Sequence, residues 1–148
     1  MKKIIKLTGM TLAVILIALL VATPFVNNYS AAKIEKRLLT LPLPEKTEYI
    51  ESISKAGKMT GNGNGMQFLG AMLVQSELTL EELDAYYATY RENQWDCIVE
   101  VQKGQTLEVI EHGELSFSTE ILQDGGYFVV YSWGSGIEPF ATLDIRGN

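Results

Sequence analysis

The chain has 148 residues, a mean hydropathy of +0.07, a net charge of −6 and one cysteine. A lone cysteine excludes an intramolecular disulfide but is neutral as to compartment. Charge is segregated: through Thr40 the bases Lys2, Lys3, Lys6, Lys33, Lys36 and Arg37 face one acid, Glu35, whereas from Leu41 onward 17 acids outweigh 6 bases. So acidic a domain is repelled by phosphates, which excludes nucleic acid as a partner and disfavours anionic lipid.

Residues 7–26 (LTGMTLAVILIALLVATPFV) carry no charge. About 20 helical residues suffice to cross a hydrocarbon core of about 30 Å. The hydroxyls of Thr8, Thr11 and Thr23 can bond back to the helix, and Pro24 lies near its far end, where a break costs little. Residues 1–26 are therefore expected to be a cytoplasmic tip and transmembrane anchor, with the lipid bilayer as partner of 7–26. The rivals are a cleaved secretory signal ending at Ser30-Ala31-Ala32, although that site falls late after a long apolar run, and a buried helix of a soluble protein. No cysteine is available for lipoprotein attachment. Three bases precede the span and three follow it, so counting them does not orient it. Lys6 abuts the apolar run, and a long C-terminal domain translocates more readily than a tail with three lysines, which favours the N-terminus inside.

Residues 27–39 can continue the helix outward, their bases resting among lipid headgroups. Leu41-Pro42-Leu43-Pro44 stops it, since each proline lacks a donor and pushes its predecessor to extended geometry. The expectation is a juxtamembrane helix and Pro-rich stalk over 27–46, then an acidic domain over 47–148.

Within that domain 47–54 reads as a strand and 58–65 as a loop, because Gly and Asn tolerate positive φ. Both alternating sets of 66–76 are apolar, which predicts a central strand covered on two faces. Thr79-Leu80-Glu81-Glu82 fits a capping box, and Leu80, Leu83, Tyr87 and Tyr90 recur at helical spacing, predicting a helix over 79–92 stopped at Asn93. The period then becomes two, giving expected strands at 95–102, 107–112, 115–119, 127–133 and 141–146, with a turn at Asp124-Gly125-Gly126. Short turns imply antiparallel pairing. The fold class expected is α+β: an N-terminal transmembrane helix, then a small, mostly antiparallel sheet with one helix on one face.

Chemistry-bearing motifs are sparse. Gly61, Asn62, Gly63, Asn64 and Gly65 could form an anion nest, but no Gly-Lys-Ser/Thr follows, and Met66-Gln67 opens a strand where a phosphate loop needs a helix. A flexible connection is the simpler reading. Glu108, His112 and Glu114, with Glu111, could be weighed as metal ligands, but there is no second histidine and Gly113 interrupts the strand. Cys97 reads as a buried apolar residue; as a nucleophile it would want His112 as base. Tyr86 and Tyr90 lie four apart and, if exposed, would resemble a partner-binding patch.

The run GNGNGMQFLGAMLVQSELTLEELDAYYATYR, with the terminal DIRGN, resembles uncharacterised single-pass membrane proteins of Gram-positive bacteria. That resemblance implies a small membrane-anchored class and no activity, cofactor or catalytic residue. The expectation is a non-enzymatic binding, sensing or accessory protein of the cell envelope, without cofactor or metal and with an envelope protein as partner. Its domain would lie outside the membrane, or be secreted after cleavage. A small-ligand or cation-binding module using Gly61, Asn62, Gly63, Asn64 and Gly65 is the alternative; an enzyme is the remote one.

Overall fold

The computed structural model describes residues 2–92, 95–122 and 125–147. Asn93, expected to end a helix, and Asp124, expected in a turn, lie outside them. The chain opens with one helix, α1 (Lys2–Leu38). At 1.5 Å per residue its 37 residues extend about 55 Å. The hydroxyls of Thr11, Thr23 and Ser30 donate to the carbonyls of Leu7, Leu19 and Val26. These back-bonds keep polar groups satisfied within the helix itself.

The two halves of α1 have different environments. From Leu7 to Val21 the helix is almost wholly exposed and apolar. From Thr23 on, Thr23, Asn27, Ser30, Ala31, Ile34 and Leu38 are buried. Their spacing of three and four residues defines a single face. Residues 27–38 are thus not a free stalk: they are a layer of the domain's core.

Among the described residues four strands form one antiparallel sheet: β1 (Thr47–Gly57), β2 (Gln67–Ser76), β3 (Ile98–Val101) and β4 (Tyr127–Gly134), in the order β1-β2-β4-β3. Residues 66–76 do make the central strand. Phe68, Met72 and Val74 face α1 and α2 (Leu80–Ala88), while Leu69, Ala71 and Leu73 face the opposite side. A Cβ built on Gly70 would lie 2.8 Å from Glu35 Cα and 2.8 Å from Ile34 C, so α1 crosses the sheet at backbone contact. Ser52 and Ser54 of β1 donate to the two oxygens of Glu35, both at 2.6 Å, and pin the crossing.

The α+β class is therefore as expected, but two helices, not one, share the covered face. The capping box at Thr79 is present, with Glu82 N donating to Thr79 Oγ1 and Glu82 accepting from Thr79 N. The helix is shorter than 79–92. Bonds from Thr89 N, Tyr90 N and Arg91 N to carbonyls three residues back tighten the chain after Ala88.

The other face is covered by irregular chain. Expected strands at 107–112 and 115–119 are absent, leaving only an isolated bridge between Thr106 and Ser116. Leu107 and Phe117, with Met59, are buried against Leu69, Ala71, Leu73, Val129 and Tyr131. Their apolar side chains act as plugs. The backbone bonds outside the sheet: Leu107 N donates to Leu115 O and Phe117 N to Gln105 O across the single bridge, Ile110 N donates to Leu107 O, and Glu111 N and His112 N share the Met59 carbonyl. The buried Gln102 amide satisfies the carbonyls of Gly104 and Thr106. The strand expected at 95–102 shrinks to β3. That expected at 141–146 is instead α3 (Phe140–Leu143) followed by a 3-10 turn, Ile145–Gly147. There Asp144 Oδ1 accepts the Arg146 amide, which curls the chain.

Candidate functional site

The Gly-Asn loop is anchored at both feet. Gln67 Oε1 accepts from Met59 N and Thr60 N, and its amide donates to the Thr60 carbonyl and hydroxyl. Lys58 N donates to Arg146 O at 2.9 Å and Gly65 N to Gly147 O at 2.6 Å. Gly61 (φ +70°) and Gly65 (φ +141°) supply the conformations that require glycine. The Gly61 amide, first donor of the supposed nest, is already taken by Glu111 Oε2 at 2.7 Å. His112 Nε2 donates to Gly61 O at 2.7 Å. Asn62, Gly63 and Asn64 remain as an exposed tip; Asn64 and Gly65 border a shallow cleft with Glu138, Thr142 and Asp144.

Tyr86 and Tyr90 lie elsewhere. The Tyr86 hydroxyl donates to Pro42 O at 3.1 Å and accepts from the Tyr90 hydroxyl at 3.3 Å. That bond and partial burial push the Tyr86 phenol up to about 12. Both rings are half-buried and pack on the core, so the pair clasps the proline segment. The loop end of the domain borders α1 at residues 24–28 and the tyrosine end lies beyond Leu38, at least about 15 Å along the helix. No described cavity is lined by both.

Cys97 is fully buried under α1 and α2, and burial raises its thiol pKa. It precedes β3 at one sheet edge, whereas His112 borders β1 at the other, three strand spacings or about 14 Å away. The fold thus separates thiol from imidazole. Glu111 is bonded to Gly61 and Glu114 to Ser116. Among the described residues no three His, Cys, Asp or Glu side chains converge as metal ligands would.

Two clusters escape a linear reading of the chain. Asp144 is buried, accepts from the Arg146 guanidinium and from Asn27 Nδ2 at 2.8 Å, and is held down to about 2, first by Arg146. Arg146 also donates to Asn28 Oδ1 at 2.9 Å and Pro24 O at 3.4 Å, so the C-terminal turn grips α1. Beside it lies a cleft of about 720 Å³, bordered by Asn28, Ser54, Lys55, Lys58, His112 and Arg146. Only folding assembles it: its residues come from positions 28, 31, 54–58, 112–113 and 146. No protein-family model matches the chain, and neither the curated proteins nor the solved structures contain a significant match.

Proposed function

We propose that the protein is a single-pass protein of a bacterial cytoplasmic membrane whose domain lies outside as a non-enzymatic binding, sensing or accessory module of the envelope. The observation that carries the anchoring is the division of α1. Its first half is long, apolar and uncovered, as a helix solvated by lipid should be. Its second half is core. Cleavage after Ala32 would remove buried Thr23, Asn27, Ser30 and Ala31 and leave Asp144 without Asn27, which argues for retention.

The span and the domain leave no slack. Residues 7–22 cover about 24 Å, less than the roughly 30 Å hydrocarbon core, so the preceding residues help span it and the domain seats against the headgroups. Phe25 (72% exposed), Tyr29 (58%) and Ile145 (82%) ring that level, and amphipathic or apolar side chains suit an interface. Arg37 pairs with Glu92 at 2.9 Å and covers the Trp95 ring, so one of the three bases beyond the span is engaged by the domain. This supports an N-terminus inside.

Among the described residues no nucleophile and base converge, which motivates the non-enzymatic reading. Fractionation tests the anchor: untagged full-length protein pellets with membranes and resists carbonate extraction, and protease added to spheroplasts digests the domain. Recovery in the supernatant with the first residues intact refutes the reading. Turnover of an envelope substrate, abolished by one substitution in the domain, refutes the non-enzymatic part. Crosslinking in intact cells then identifies the partner.

A further inference from the structure

We infer that the cleft between α1, the end of β1 and the C-terminal turn binds the phosphate of an anionic lipid headgroup; this rests on the membrane-anchored reading above. The domain has 17 acids and 6 bases from Leu41 onward, yet three of those bases, Lys55, Lys58 and Arg146, border this one cleft together with His112, the chain's one histidine. No Asp or Glu among the described residues lines it. The carboxylates near it in the hydrogen-bond network are committed elsewhere: Glu35 to Ser52 and Ser54, Asp144 to Arg146 and Asn27, Glu111 to Gly61 and Glu114 to Ser116.

The two lysines remain uncompensated. Neither Lys55 nor Lys58 is ion-paired among the described residues. Lys55 Nζ donates only to the neutral Glu114 carbonyl, at 2.8 Å, which aims the ammonium without neutralising it. Gly113 (φ +76°) shapes that approach, since a Cβ there would sit 3.1 Å from Lys55 Nζ. Arg146 adds a guanidinium whose orientation is set by Asp144 and Asn28. Two unpaired lysines and an oriented guanidinium bordering one cleft are the donors a phosphate requires.

Position selects the source of that phosphate. Asn28 and Ala31, which line the cleft, begin two residues beyond the apolar run ending at Val26, and Arg146 reaches back to the Pro24 carbonyl. The site therefore opens at headgroup depth, where tethering by α1 holds it permanently beside lipid and raises the effective concentration. General repulsion of anionic lipid by the acidic domain makes this local reversal of sign the feature that discriminates one headgroup from another.

Native mass spectrometry of detergent-solubilised full-length protein tests the site, using short-chain phosphatidylglycerol, phosphatidylcholine and inorganic phosphate as probes. Phosphatidylglycerol is expected to be retained about tenfold more than phosphatidylcholine. The double variant Lys55→Ala/Lys58→Ala should lose that preference with an unchanged melting curve, and Lys103→Ala should keep it. Equal retention of the two lipids, or a preference surviving in a folded double variant, overturns the inference. Inorganic phosphate displacing phosphatidylglycerol at equal concentration overturns the lipid as ligand. Failure of these tests by protein that still pellets with membranes sinks the site alone; a soluble full-length protein sinks the anchored reading.

Discussion

Replacing Gly70 by alanine tests the packing of α1 on the sheet. In most strands alanine is tolerated better than glycine by about 0.5–1 kcal/mol, because glycine loses more backbone freedom on folding. Here the added carbon meets the helix backbone, 2.8 Å from both Glu35 Cα and Ile34 C, and no rotamer change relieves it. Ordinary contact begins near 3.4 Å and the Glu35 amide nitrogen lies nearer still, so α1 must retreat by more than about half an ångström along its buried face. That weakens the 2.6 Å bonds from Ser52 and Ser54 to Glu35 and the packing of Ile34 on Gly134. Overpacking of this kind costs about 1–3 kcal/mol, and the loosened bonds move the total toward the upper end. Urea unfolding of the full-length protein in detergent reads the cost through Trp95. Its ring lies 4.1 Å from the Arg37 guanidinium of α1 and reports undocking. A Gly70→Ala protein as stable as the parent, or more so, would refute the close crossing and with it the assignment of residues 27–38 to the core.

Three further outcomes follow from particular groups. Asp144 has a folded pKa of about 2, below the roughly 3.9 of an unfolded aspartate, so its stabilisation is complete above about pH 5 and disappears as pH falls from 4 to 2. Asp144→Asn should cost about 2 kcal/mol at neutral pH and flatten that part of the stability–pH curve, as followed by thermal melts; an unchanged acid limb contradicts the clamp. Tyr87 is fully buried with a hydroxyl that has no partner among the described residues, and burial raises its phenol pKa, so Tyr87→Phe should leave stability unchanged or raise it by up to about 1 kcal/mol in denaturant titrations. Removal of residues 1–22 should leave a folded domain with dispersed amide resonances, whereas removal of 1–32 should abolish the fold. A folded 33–148 fragment would revive the cleaved-signal alternative.

Much of the fold was legible along the chain because it rests on local rules. The apolar run that starts α1 needs only composition. The capping box needs only Thr79 and Glu82, and the central strand announces itself by two apolar alternating sets in 66–76. Residues 107–119 and 141–146 misled because alternation records which side chains are buried, not which backbone groups pair. Leu107 and Phe117 are buried, but their backbone pairing stops at the single Thr106–Ser116 bridge instead of running on into strands, and Asp144 uses its carboxylate to curl its own segment.

What the order of residues determined unaided is the long apolar helix, the α+β class, the capped start of the helix at Thr79 and the central strand; where that second helix ends, and that 140–143 is helical, it did not. What tertiary structure alone decided is where that helix stops being solvent-facing and becomes core, and which charges meet. Asn27 and Asp144 stand 117 positions apart, and the bases of the cleft come from both ends of the domain. No local period encodes such a meeting; it follows from the crossing at Gly70, where the lack of a side chain lets α1 lie against the sheet.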